Sequence, residues 1–423
     1  MNNFYRLYSS LPQNEQHLTC AEIDLDALAH NYRTLRAHVR THGAPRIIAV
    51  VKADAYGHGA PACVHTLLGE GCDFFAVSSF YEAVAVRTAC KEANAHADVL
   101  IFGCTPPSLA AELAHFDLIQ NLLSEDYARA LNDAAAAAGV TLRTHVAVDT
   151  GMHRIGFAAY SEEEILASAE AILRTARLPH LSLEGMLTHY ARADEIAPLS
   201  EQNSETSPTA SHSPADGAEA TARQAARYRR LRAEIETRGV KIPFHHTCNS
   251  AASLLTPDAY FDGVRSGILL YGVSPTASDL PPLRPVMRLC TSVIHLHTLP
   301  AGECVGYGGT YCANTPRRIA TLPIGYADGL LRAYSGALVT VEGKHGSFRA
   351  PIVGRICMDQ CMIDVTGHEV ALGDTVTLFG NHPSELSELA RRASSIEYEC
   401  LCLVSSRVPR TYTQSEKTEE PSV

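Results

Sequence analysis

Lys52 ends a run of apolar residues at the point where the chain is about to turn. In VVKADAYGHG (50–59) it follows RIIAVV (46–51), and an aspartate, a tyrosine and two glycines come within the next seven positions. Two readings of such a lysine compete. In one it is a solvated side chain whose apolar stem lies along the strand while its head reaches water. In the other, a partly buried amine of lowered pKa condenses with a carbonyl compound as a Schiff base. Metal chemistry has less support. The closest cysteine pairs, Cys357/Cys361 and Cys400/Cys402, have no second pair at zinc-finger spacing, and His245 and His246 would point to opposite faces of a strand. No metal site is expected.

The elements that would position Lys52 come next. From residue 46 to 272 the strand-like runs RIIAVVKA, FFAVSS, DVLIFG, LIQNLL, TLRTHVAV, LSLEGMLTHY, FHHTCN and FDGVRSGILLYG alternate with helical patterns such as SEEEILASAEAILRTAR. Near-continuous apolar strands separated by helices indicate a parallel sheet covered on both faces. Eight repeats favour a closed (β/α)8 TIM-type barrel. Function on such a barrel collects where strands end, and Lys52, His189, Asn249, Ser250 and Arg265 all fall there. Beyond about residue 283, TSVIHLHTL, RRIATLPIGY, ALVTVEG, APIVGRICMDQCMIDV and DTVTLFG are separated by Gly, Asn or Pro turns. The expected organisation is a barrel over 1–282, a mostly β C-terminal domain over 283–412 and a disordered tail over 413–423. Residues 197–219 are rich in Ser and Pro and read as a flexible insertion.

Composition narrows the partners. The net charge of −11, with no Lys/Arg-rich run, argues against a nucleic-acid partner. No basic segment followed by an apolar core opens the chain, and no apolar run approaches a membrane span, so a soluble cytoplasmic protein is expected. The thirteen cysteines are scattered singly and read as buried thiols rather than disulfides.

Nine stretches in order, AVVKADAYGHG (49–59), VDTGMHRIGF (148–157), THYARADE (188–195), NSAA (249–252), VRSGILLYG (264–272), VGYGGTY (305–311), PIGYADGLLR (323–332), GRICMDQCMIDV (354–365) and RVPR (407–410), resemble the alanine racemases, pyridoxal-phosphate (PLP) enzymes of the barrel class. The resemblance runs from about residue 20 to 412. It implies an isomerase acting on a small amino acid, with PLP on Lys52 and two acid/base groups on opposite faces of the cofactor. Lys52 would serve one face and Tyr307 the other, the tyrosine reaching across a homodimer with shared active sites. By the same resemblance, Tyr56, Ser250 and the amides of Gly267 and Ile268 hold the phosphate. Arg265 faces the pyridine nitrogen, with His189 and Asn249 in the surrounding network. Arg154 contacts the cofactor's phenolic oxygen and the substrate carboxylate, helped by the Met358 amide. Tyr326 and Asp359 shape the entrance, and D-alanine supply for peptidoglycan precursors is the implied role.

The chain departs from the family pattern twice. Ala147 stands where many members carry a carbamylated lysine that steadies the arginine. Ser406 stands where a tyrosine often closes over the phosphate, so a broader substrate range that includes serine becomes an alternative. A barrel-type PLP decarboxylase is opposed by Arg265 and NSAA, and a non-catalytic PLP carrier by residues 283–412.

Overall fold

The computed structural model of the protein describes residues 18–43, 45–196, 214–276 and 282–415. The chain forms two units, one of residues 28–55 and 59–283, the other of the described residues up to Ala27, residues 56–58 and the chain from Arg284 onward.

Among the described residues, eight parallel strands close the first unit into a barrel. They are β1 (Arg46–Val50), β2 (Phe74–Val77), β3 (Asp98–Ile101), β4 (Ile119–Leu122), β5 (Leu142–Asp149), β6 (Leu181–Leu187), β7 (Phe244–Cys248) and β8 (Gly263–Ser266). β1 pairs with β2 and β8, and the β4–β5 pairing completes the ring. β2 and β4 are buried at every position, as strands between two covered faces must be. The surrounding helices start on readable caps: Ser79 and Glu82 form a capping box for Phe80–Glu92, and Ser161 and Glu164 one for Glu162–Thr175.

Ion pairs and rings seal the N-terminal end of the barrel. Arg143 pairs with Asp98 at 2.8 Å, Glu184 at 2.9 Å and Asp117 at 3.3 Å, while Arg46 lies 4.8 Å from the Phe74 ring centre. Inside, Gly185 makes room for His145; a Cβ there would come within 2.5 Å of the imidazole.

The second unit is built on a nine-stranded sheet. Its strand order is 295–299, 317–322, 361–364, 346–353, 338–343, 375–379, 287–292, 19–24 and 410–413.

Four expectations change. The expected barrel over 1–282 includes Thr19–Asp24, yet this strand pairs antiparallel with Met287–Ser292 and parallel with Arg410–Thr413 in the second sheet. Its alternating burial suits a sheet with one covered face. Of the tail, Thr413 pairs with Asp24 and the Ser415 amide donates to Asp26 at 2.7 Å, so 413–415 are ordered; 416–423 lie outside the described residues. Of the flexible insertion, 197–213 lie outside the described residues, while 214–219 open the helix Pro214–Thr237. Ala-rich sequence after Pro214 gives that helix propensity the Ser/Pro composition obscured. Finally, Cys304 and Cys312 form a disulfide, because an antiparallel two-residue ladder sets them opposite each other.

Candidate active site

Lys52 leaves the C-terminal end of β1 half-buried, and the backbone after it takes an uncommon path. Ala53, Asp54 and Ala55 have φ of 52°, 53° and 56°, and Tyr56 follows at 52°, one turn of left-handed helix made without glycine. Each such residue costs about 1–2 kcal/mol. Side chains fasten the turn. Glu82 Oε1 accepts from the Ala53 amide at 2.7 Å, and Asp54 Oδ1 accepts from the Ala60 amide at 2.7 Å. Strain held by its surroundings is typical of sites where geometry matters.

Arg265 leaves β8 fully inside the barrel unit. Its Nη1 donates to the His246 carbonyl at 2.6 Å and to His246 Nδ1 at 3.0 Å. Its Nη2 donates to the carbonyls of Thr188 at 2.6 Å and Thr247 at 2.7 Å, with His189 Nδ1 at 3.4 Å. The Nε–H has no partner among the described residues. Burial pushes the guanidinium down to about 10, which leaves it a cation at neutral pH. Because His246 Nδ1 accepts from Arg265, its Nε2 carries the proton and donates to His145 Nδ1 at 2.9 Å. Burial, then the charges of Arg265, Arg154 and Lys52, hold His189 well below the usual imidazole range. Lys52, Arg154, His189 and Arg265 therefore share one electropositive mouth.

Asp149 ends β5 and organises the loop that carries Arg154. Its Oδ1 accepts from the amides of Gly151, Met152 and His153, each at 3.0 Å, and Oδ2 from Arg154 at 2.7 Å. Burial raises the carboxyl, but these amides and Tyr160 outweigh it and lower its pKa overall. Ala147 is buried and supplies no charge. The helix Pro214–Thr237 braces the same loops: Gln224 donates to Thr150 Oγ1 at 3.2 Å and to the His189 carbonyl at 3.0 Å. Beyond β7, Asn249 caps the Ala252 amide at 3.0 Å, and Ser250 Oγ accepts from the Gly267 amide at 3.1 Å. Ile268 opens a short 3-10 turn directly after.

The remaining expected site residues lie in the second unit. Tyr56 is buried with its ring 6.1 Å from that of Tyr398, and burial raises its hydroxyl. Tyr307 stands at the tip of the hairpin bridged by Cys304 and Cys312, with 71% of its surface exposed. Tyr326 and Met358 sit on adjoining turns, where the Tyr326 amide donates to the Cys357 carbonyl at 3.0 Å and the Ala327 amide to the Met358 carbonyl at 3.0 Å. Arg407 joins Asp328 at 2.6 Å to Asp359 at 2.7 Å, and Ser406 beside it is exposed.

Sequence reasoning did not single out Asp149, His246, Glu82 or Gln224. Only Glu82 carried a local signal, the Ser79-x-x-Glu82 capping box. His246 and Gln224 act through partners distant in sequence, and Asp149 through the amides of its own loop.

A parallel barrel whose mouth gathers a lysine, two arginines and a neutral histidine defines an enzyme site for an anionic ligand. The alanine racemase N-terminal domain family matches residues 23–275, and the C-terminal domain family matches residues 286–412. The alanine racemase of Desulfovibrio desulfuricans is 38% identical over 400 residues, covering 93% of this chain and 98% of that protein. An alanine racemase structure from Bacillus anthracis with bound L-Ala-P is 32% identical, with a TM-score of 0.80 over 96% of this chain and 97% of that one. A histidine racemase from Leuconostoc mesenteroides is 27% identical, with a TM-score of 0.76 over 95% and 99%. The chain belongs to the alanine racemase family, and its cofactor is PLP.

The residues present fit that cofactor. The mouth offers donors and positive charge to an anionic phosphate and phenolate, and Arg265 retains a single uncommitted N–H for a ring nitrogen that accepts.

Proposed function

We propose that the protein interconverts L- and D-alanine by moving the α-proton between two bases, Lys52 Nζ on one face of the cofactor and Tyr307 Oη on the other. Bound PLP supplies the electron sink that makes the α-proton removable. The observation that carries this reading is the Arg265 cradle. With Nη1 and Nη2 committed to carbonyls and an imidazole, the guanidinium presents only Nε–H, and a guanidinium cannot give its proton away. With the cofactor bound, Arg265 would offer that N–H to the ring nitrogen and, giving up no proton, would leave it unprotonated, which would favour return of the proton to Cα over transamination. Ser250 Oγ, the Gly267 and Ile268 amides and the Tyr56 hydroxyl would hold the phosphate. Arg154 and the Met358 amide orient the carboxylate, His189 and Asn249 brace the network, and Tyr326 and Asp359 line the entrance.

Tyr307 is exposed on its own chain, which suits a residue that completes the site of a partner subunit in a homodimer. A cytoplasmic location and a role in supplying D-alanine to peptidoglycan precursors complete the reading. Among the described residues no helix is long and apolar enough to cross a membrane.

Mixing Lys52→Ala and Tyr307→Phe subunits tests both bases and the dimer together. Each variant alone should be inactive. After exchange, roughly a quarter of wild-type activity should return, since half the dimers are mixed and each has one intact site. Chiral chromatography of alanine reads the outcome. No recovery after verified exchange defeats the shared-site arrangement.

Ser406 favours a second reading, a broader substrate range. A tyrosine at this position would add a rigid ring wall and a hydroxyl. Ser406→Tyr should raise the alanine-to-serine ratio of kcat/KM about tenfold, the order expected for one methylene-sized discrimination. An unchanged ratio would make the serine a neutral substitution.

A further inference from the structure

The Tyr307 loop is closed by a covalent bond between Cys304 and Cys312. Cys304–Val305 and Tyr311–Cys312 pair as a two-residue antiparallel ladder, Cys304 opposite Cys312 and Val305 opposite Tyr311. Between them run Gly306, Tyr307, Gly308, Gly309 and Thr310. The three glycines have φ of 69°, 71° and 53°, so most of the tip lacks a Cβ that would restrict it. Tyr307 is 71% exposed and has no hydrogen bond among the described residues, so packing within its own chain does not hold it.

The inner side of the hairpin is anchored. Val305 and Ala313 join an apolar cluster with Leu299, Ile319 and Val353, and Tyr311 Oη donates to Asp364 Oδ2 at 2.7 Å. The outer side carries Cys304 and Cys312, both exposed, and their bridge ties the two ends of the glycine-rich tip. The other described cysteines form no disulfide.

We propose that the Cys304–Cys312 bridge is a positioning pair for Tyr307, so that turnover follows the thiol–disulfide state of this hairpin. The inference rests on the reading of Tyr307 as a base. Opening the bridge lets five residues, three of them glycine, sample conformations in which the phenolic oxygen is misplaced. A misplacement of about 1 Å is enough to cost a large factor in rate. The exposed bridge suits exchange with a small thiol such as glutathione. One glutathione thiolate attacks a bridge sulfur and forms a mixed disulfide, releasing the other cysteine as a thiolate that takes a proton. A second glutathione then resolves it. The products are the Cys304 and Cys312 thiols and one glutathione disulfide, with two electrons passed from the glutathione pair to the bridge. Exposed bridges of this kind are the labile ones, and in reducing compartments they serve as sensors more often than as staples.

The test uses wild-type holoenzyme equilibrated in glutathione buffers of stepped oxidised-to-reduced ratio. Mass spectrometry of the peptide pair scores the bridge, and kcat and KM are measured for both alanine enantiomers. The expected result is a kcat that falls about tenfold as the bridge opens, with KM changed less than twofold. Hydrogen exchange at 306–310 should quicken in the reduced form. The α-deuterium isotope effects for the two enantiomers should also diverge, because only the half-reaction using Tyr307 is impaired; a purely structural loosening would not separate them. The double variant Cys304→Ser/Cys312→Ser should show the low kcat in every buffer. Tyr307→Phe separates the two ideas. If that variant keeps wild-type kcat, the reading of Tyr307 falls. If it is inactive while kcat is equal in bridged and reduced wild-type enzyme, the positioning role alone falls. A bridge that fails to form in any buffer also overturns the proposal.

Discussion

Arg265 illustrates how much one side chain depends on its setting. Its two Nη groups satisfy the carbonyls of Thr188, His246 and Thr247 at the ends of β6 and β7. Arg265→Glu would set a carboxylate against those carbonyls and, on the proposed reading of the site, an acid beside the cofactor's ring nitrogen. The racemisation kcat should fall by about 10²–10³, the scale seen when a preorganised electrostatic group is lost. Pyruvate formed per turnover should rise, because a protonated ring draws more charge from Cα. Arg265→Lys keeps the positive charge but not the planar fork. It should slow racemisation without raising pyruvate. Stopped-time assays of D-alanine and pyruvate on both variants check this, and equal pyruvate ratios in the two would defeat the account.

The element that sets the geometry of Lys52 is the left-handed turn Ala53–Tyr56. Ala53 is exposed and pays the αL penalty without glycine's freedom. Ala53→Gly should therefore stabilise the protein, by up to about 1 kcal/mol once the extra entropy of glycine in the unfolded chain is subtracted. Ala167, exposed in the right-handed helix Glu162–Thr175, provides the opposite sign, since Ala167→Gly should destabilise by about 1 kcal/mol. Urea midpoints of the two variants decide the matter. A loss of stability at both positions would mean that the turn is not strained. The existence of a turn after Lys52 was legible in the sequence. Its hand was not, because Asp54 alone of these residues tolerates positive φ at all readily, Ala53, Ala55 and Tyr56 do not, and the conformation is held by hydrogen bonds to Glu82 and Asp54.

At the scale of the whole barrel, buried imidazoles govern the response to acid. Burial pushes His145 down to about 3 and His245 down to about 4, and drives His246 well below the imidazole range. In the unfolded chain each titrates near 6.5. Above that pH all three are neutral in both states and contribute no slope. As pH falls below about 6.5, the unfolded chain binds protons that the barrel refuses, so stability drops by up to about 1.4 kcal/mol per pH unit for each imidazole. Asp98 adds to the loss at lower pH. Burial raises its carboxyl, but Arg143 and Arg46 outweigh that and hold its pKa below the usual range. Its contribution is present above the unfolded carboxylate pKa and is lost as pH falls through the folded one. Denaturant unfolding at pH 7, 6 and 5 should show the decline, and His145→Asn should reduce the slope by about one proton. A flat profile would contradict the burial of neutral imidazoles.

The eight apolar runs of the barrel, the mostly β texture after residue 283 and the positions of Lys52, His189, Asn249, Ser250 and Arg265 at strand ends were all readable from the sequence. These features are repetitive or local, and buried parallel strands between helices leave a periodic trace. Tertiary structure alone decided that Thr19–Asp24 joins the second sheet. The same holds for His246, which connects Arg265 to His145, and Gln224, which braces the loops from an adjoining helix. It also paired Cys304 with Cys312, which composition had assigned to isolated thiols. Each of these depends on which distant atoms become neighbours, and a hydrogen bond or a disulfide has no energy until the fold has brought both partners within reach.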